Sequence, residues 1–190
     1  MSRPTPALFN GPGICKFRPP QNVSWSQMEI SPATEADLPA IQSIYAHHVL
    51  AGTGTFEEAP PSLEEFEARY RAGLAAGHAW LVAHDASGCL GFGYYGAFRT
   101  RASYRFTVED SVYVRENVHG QGVGKALVAA LLAHASAAGF KQMLAMIGDS
   151  ENVASIGVHA SLGFQAVGTM RKVGYKFGRW LDVVIMQKAL

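Results

Sequence analysis

The apolar positions of this chain change rhythm several times, and each change predicts an element. Met28–Ile30 predicts a short first strand. Thr34 and Asp37 have the spacing of a capping box ahead of Leu38, Ile41, Ile44 and Tyr45, which form one helical stripe. Gly52–Pro61 has loop composition, and Ser62 with Glu65 caps a second helix running to about Leu74. Ala79–His84 and Cys89–Tyr95 are strand-like runs separated by the turn residues Asp85–Gly88. Arg105–Val114 is a third, longer strand, and Gly122–Ala138 is an alanine- and leucine-rich helix that Gly139 stops. A strand at Lys141–Ile147, a helix at Asn152–Leu162 and two closing strands near Phe164–Val173 and Trp180–Gln187 complete the pattern. The order β-α-α-β-β-β-α-β-α-β-β describes a mixed α/β sheet covered by helices.

Residues 1–27 depart from this periodicity. They hold five of the nine prolines (Pro4, Pro6, Pro12, Pro19, Pro20), so the expectation is a disordered tail before a domain at 28–190. The chain's 190 residues suit one compact domain, and its net charge of +1 supplies no basic field for nucleic acid or an anionic membrane. No run approaches the ~20 apolar residues of a membrane span, and no signal peptide is apparent, so cytoplasm is the expected location. The two cysteines, Cys15 and Cys89, are far apart, and the seven histidines fall in no ligand pattern. Neither a disulfide framework nor a metal site is therefore expected.

The chemistry concentrates in His119-Gly120-Gln121-Gly122-Val123-Gly124-Lys125. Glycines permit positive φ and close backbone approach, and free N–H groups at a helix start attract a phosphate anion. Lys125 adds a cation nearby. A Walker loop requires Ser or Thr where Ala126 stands, and a dinucleotide fingerprint requires glycine where Lys125 stands. A plain glycine-rich turn capping a helix is the remaining alternative.

Gly122 and Gly124 match the two glycines of Q/R-x-x-G-x-G/A, with His119 at the Gln/Arg position. Asn152, Ser155, His159 and Leu162-Gly163-Phe164 follow the spacing N-x-x-A-x-x-x-Y-x-x-x-G-F, with Ser for Ala and His for Tyr. In both features the chain resembles the GCN5-related N-acetyltransferase (GNAT) superfamily. Arg99–Val114 and Gly174–Val183 are similar to the phosphinothricin and methionine sulfone acetyltransferases within it. The resemblance implies a mostly antiparallel sheet flanked by helices, acetyl-CoA as co-substrate, a small amino-acid-like amine as acceptor, and a homodimer.

Amine acetylation needs a base for the ammonium and a route for the leaving thiolate. Strand alternation sets Phe106, Val108, Val112 and Val114 on one face, with Thr107, Glu109, Ser111 and Tyr113 on the other. Glu109, a carboxylate in an apolar strand, is the candidate base. Asp110 shares the valine face and suits a bulge or a structural hydrogen bond. His159 and Tyr113 are candidate proton donors, each equally explicable as packing. The backbone of Val112, Tyr113 and Val114 would pair with the pantetheine arm as an added strand does. His119 through Lys125 would hold the pyrophosphate. Asn152 and Ser155 would reach the same arm, Asn152 otherwise serving as a helix N-cap. Arg99 and Arg101, with Tyr104 and Phe56, would hold a carboxylate-bearing acceptor. Lys176 and Arg179 near the C-terminus would close the site, from the same chain or from a second subunit. Two alternatives stay open. One is another amine acceptor, such as a polyamine or a protein N-terminus; the other is a non-catalytic acetyl-CoA-binding module.

Overall fold

The computed structural model describes residues 28–190, so the expected tail at 1–27 lies outside the described residues. Eleven helices and strands of regular structure follow in the expected order. The strands are β1 (Glu29–Pro32), β2 (Trp80–Asp85), β3 (Gly88–Ala97), β4 (Thr107–Val114), β5 (Gln142–Gly148), β6 (Gln165–Lys176) and β7 (Arg179–Ala189). The helices are α1 (Leu38–Ala51), α2 (Leu63–Ala75), α3 (Val123–Ala137) and α4 (Val153–Ser161). They build one seven-stranded sheet, ordered β1-β2-β3-β4-β5-β7-β6. Every neighbouring pair is antiparallel except β4 and β5.

Helices cover both faces of the sheet over β2, β3 and β4. α1 buries Leu38, Ile41, Ile44, Tyr45 and Val49, a stripe that meets Phe66 and Tyr70 of α2 and the rings of Trp80, Phe92 and Tyr113. On the other face, Leu127, Val128 and Leu131 of α3 pack against Val108, Met143 and Ala145. β4 therefore contributes Val108 to one core and Tyr113 to the other, as strand alternation predicts.

Three boundaries differ from the periodicity, each for a local reason. Thr34 and Asp37 do form the capping box, but it opens a single 3-10 turn, Glu35–Asp37, before α1. β4 begins at Thr107, because Ala102–Tyr104 is a 3-10 turn whose cap, Arg105, bonds back to Ala102. β6 and β7 run closer together than expected, because Phe177 (φ 52°) and Gly178 (φ 74°) close the hairpin as a two-residue turn. Positive φ at both positions gives the turn the twist that flanking strands need, although it is uncommon for an aromatic residue.

Candidate active site

β4 and β5 pair only from Thr107↔Gln142 to Asp110↔Ala145. Beyond that point β5 follows β7 to Gly148, and β4 continues alone to Val114. The N–H of Arg115 donates to Leu90 O at 2.9 Å, which fixes the parity of the strand. The backbone groups of Tyr113 belong to the β3 side, whereas those of Val112 and Val114 face the gap. Of the predicted trio, Tyr113 thus leaves the backbone role. The Val114 carbonyl already accepts from two imidazoles, His48 Nε2 at 2.9 Å and His119 Nε2 at 3.1 Å. His119 is folded onto the strand end rather than over the loop. Burial holds the His48 ring below its ordinary pKa despite its carbonyl partner, so a neutral ring carries its proton on Nε2.

At the mouth of the gap the glycine loop turns into α3. Gly120 (φ 76°) and Gly122 (φ 82°) occupy the left-handed region, which L side chains rarely adopt. Gly122 is the helix cap and has no side chain to offer the first turn. The first intrahelical bond runs from Ala126 N–H to Gly122 O, at 3.0 Å. The N–H groups of Val123, Gly124 and Lys125 therefore point outward without a helical acceptor, beside the exposed Gln121 and Lys125. This cradle fits a pyrophosphate. Among the described residues, no cluster of His, Cys, Asp or Glu could hold a metal ion.

Glu109 stands on the opposite face, half-buried, directly across from Gly96 of β3. No atom lies within 4 Å of where a Gly96 side chain would begin, so open space adjoins the carboxylate. Burial, and then the charge of Asp110, raise Glu109 above the usual carboxylate range; Arg99 partly offsets them. Next along the sheet, Tyr94 faces Ser111 and Phe92 faces Tyr113. Burial also pushes the phenols of Tyr94 and Tyr113 up, Tyr113 well above its ordinary value. The Tyr113 ring packs edge-on to Tyr45, with centroids 4.9 Å apart, and against Phe92 and His48.

The predicted acceptor residues are partly gathered. The Arg99 guanidinium lies 5.0 Å from the centre of the Phe98 ring, and Tyr104 meets the same ring edge-on at 5.6 Å. Arg101 opens the neighbouring turn and is exposed. Among the described residues neither arginine is paired with a carboxylate. Phe56 lies against Gly148 and Gly174. Sequence reasoning missed Tyr45, Thr55, Glu57, Arg69 and Tyr94. Tyr45 bonds Thr55 Oγ at 3.1 Å, Arg69 grips Glu57 through both nitrogens (2.6 and 3.4 Å), and the charges of Arg69 and Glu57 act on Tyr94.

Behind β4, on the valine face, His159 and Asp110 form a pair (5% and 6% exposed). His159 Nε2 donates to Asp110 Oδ2 at 3.0 Å, and Nδ1 donates to the Ser155 carbonyl at 2.8 Å. Burial disfavours the imidazolium, but Asp110 and the Ser155 carbonyl outweigh it, so the pKa is raised. Neither ring nitrogen is left for a ligand in this arrangement. Asp110 Oδ1 is buried with no partner of its own. Asn152 caps α4, its side chain accepting from Ser155 N–H at 3.2 Å. Lys176 and Arg179 bond within their own chain, Lys176 to the α1–α2 loop and Arg179 to Asp149 at 2.6 Å.

A model of the acetyltransferase (GNAT) domain matches residues 30–185. The chain is 49% identical over 154 residues to a phosphinothricin N-acetyltransferase of Alcaligenes faecalis, covering 81% of this chain and 78% of that one. It is 45% identical over 159 residues to an L-methionine sulfoximine/L-methionine sulfone acetyltransferase of Pseudomonas paraeruginosa, covering 83% and 92%. A phosphinothricin acetyltransferase from Sinorhizobium meliloti, solved in complex with acetyl-CoA, superposes with a TM-score of 0.83 at 42% identity, covering 86% and 89%.

Removing one partner of a buried ion pair costs about 3–5 kcal/mol, and Asp110→Asn should cost about 3. Because the fold raises His159 above its ordinary 6.5, the pair's contribution is complete below that pH. It is lost as pH rises through the raised folded value. Urea unfolding of both proteins from about pH 5 to 9 checks this. A stability gap that does not narrow with rising pH would reject the charged pair.

Proposed function

This chain belongs to the GNAT acetyltransferase family, and from that premise we propose that it acetylates the amine of a small, carboxylate-bearing amino acid using acetyl-CoA. The observation that carries this reading is Glu109: a half-buried carboxylate of raised pKa, beside open space, on the strand whose free edge lines the gap. Relatives that act on phosphinothricin and on methionine sulfoximine or sulfone support the acceptor class.

In this reading the pyrophosphate sits on the backbone of Gly120, Gln121 and Gly122 and on the N–H groups of Val123, Gly124 and Lys125. The pantetheine arm runs along Val112 and Val114 in place of a strand. Glu109 takes a proton from the substrate ammonium, directly or through a water. The freed amine attacks the thioester carbonyl carbon, and the carbon–nitrogen bond forms as the carbon–sulfur bond breaks. Arg99 and Arg101 receive the acceptor carboxylate, with Tyr104 and Phe56 along its body. His159 serves as the partner that holds Asp110, and so β4, in place. Tyr113 supports α1, and Asn152 and Ser155 serve the cap of α4.

A homodimer completes the reading. β6 is an edge strand exposed over almost its whole length, and Val167, Met170, Val173 and Tyr175, with Trp180 of β7, turn apolar surface outward. Such an edge is normally covered. No helix among the described residues is long and apolar enough to cross a membrane. Consumption of acetyl-CoA is our reason to place the enzyme in the cytoplasm.

Thiol release from acetyl-CoA should be seen with phosphinothricin and methionine sulfone and be weak with polyamines and peptides. Turnover of none of these amines, alongside tight acetyl-CoA binding, would sink the enzymatic reading. The acid limb of the kcat/KM profile should lie above the ordinary carboxylate pKa of 4.5 and disappear in Glu109→Gln. It should move further up in Arg99→Ala, because the Arg99 charge partly lowers Glu109; a limb that persists in Glu109→Gln removes Glu109 as the base. Arg101→Ala should raise the acceptor KM about tenfold, as loss of one charge-assisted contact does, and an unchanged KM refutes the clamp. Trp180→Lys should yield a monomer by sedimentation; a monomeric wild type contradicts the dimer.

A further inference from the structure

Lys176 is on β6, yet it is only 3% exposed. Its ammonium donates to the carbonyls of Gly52 at 2.9 Å and Thr55 at 2.8 Å, 124 and 121 residues earlier in the chain. The Phe177 ring covers it at 4.9 Å. No carboxylate forms an ion pair with it among the described residues. Burying an ammonium is costly unless its hydrogen bonds are replaced, and two backbone carbonyls replace them here. Burial lowers its pKa, while the charges of Glu58 and Glu57 work the other way.

The same loop is gripped from two more positions. A side chain at Gly148, the last residue of β5, would run into the Thr53 carbonyl and meet the Phe56 ring. A side chain at Gly174 of β6 would fall inside the Phe56 ring itself. From its inner end, Tyr45 of α1 bonds Thr55. Thus the residues carrying Phe56 are pressed onto two glycines and tied down by one cation. The loop has no regular structure of its own between α1 and α2.

We propose that Lys176 is a positioning residue for the acceptor site: by fastening Gly52 and Thr55 onto β6 it fixes where Phe56 stands, and through Phe56 how tightly the amine acceptor binds. The proposal rests on the acceptor role given to Phe56 above. It assigns nothing to the donor half of the site, which is built from β4 and α3.

Steady-state kinetics with phosphinothricin and methionine sulfone test it. Lys176→Met keeps the aliphatic stem and removes both hydrogen bonds. The acceptor KM should rise about tenfold, while the acetyl-CoA KM stays within about twofold of wild type. Gly174→Ala keeps the lysine and displaces the ring, and it should give the same split. If Lys176→Met does not fold, Lys176→Gln, which removes the charge and keeps a donor for the loop carbonyls, takes its place, and an acceptor KM unchanged in it overturns the proposal. In a Phe56→Ala background, Lys176→Met should add nothing further to the acceptor KM. An acceptor KM unchanged in the foldable variants overturns the proposal, as does a full further rise in the Phe56→Ala background. If Phe56→Ala itself leaves the acceptor KM unchanged, the acceptor role of Phe56 falls first and the proposal with it. A rise in Phe56→Ala with a flat Lys176→Met overturns the proposal alone.

Discussion

Two parallel strands that begin paired and then separate leave hydrogen-bonding groups facing a gap, and protein backbones do not leave such groups idle. The parting of β4 from β5 after Asp110↔Ala145 imposes this condition on everything around it. β5 can leave because β7 holds its full length. β4 can continue because β3 pairs with it as far as Val114. The freed edge then needs a wall behind it and a floor beneath it. Asp110 and His159 supply the wall at the last paired position, and the glycine loop entering α3 supplies the floor.

The two halves of the site are made of different material. The proposed donor half is mostly backbone: the edge of β4 beyond its pairing with β5 and the first turn of α3. Its geometry depends on φ values at Gly120 and Gly122 more than on side-chain identity. The proposed acceptor half is side chains on the other face, from β3, β4, the α1–α2 loop and the turn before β4. Glu109 belongs to the second half by its side chain, while its neighbour Asp110 points to the first. One dipeptide thus addresses both faces, and the charge of Asp110 adds to burial in raising Glu109.

Periodicity made the order of elements readable, because each helix and strand buries one recurrent face. The outward side of Glu109 and the inward side of Asp110 followed from alternation alone. Contacts between distant segments were not readable. Tyr94 lies opposite Ser111 only because β3 and β4 pair in one register across an irregular connection of nine residues, Phe98 to Phe106. Arg69 and Glu57 join the acceptor face only once α2 has docked. Phe177 concealed the hairpin, since a bulky residue at positive φ carries no turn signal in composition. His159 was visible as a candidate, but its partner, 49 residues earlier, was needed to see that both its nitrogens are engaged.

The Val114 carbonyl, met by His48 and His119 at once, bears on how a donor can be received. A carbonyl has two lone pairs, and both are in use. An incoming amide that claims this oxygen is therefore a competitor, and what it gains there is the difference between two hydrogen bonds rather than the whole of one. If the imidazole given up is that of His119, it would be released beside the glycine turn. A donor that enters at this edge, as proposed, would do so at Val114 by an exchange of partners.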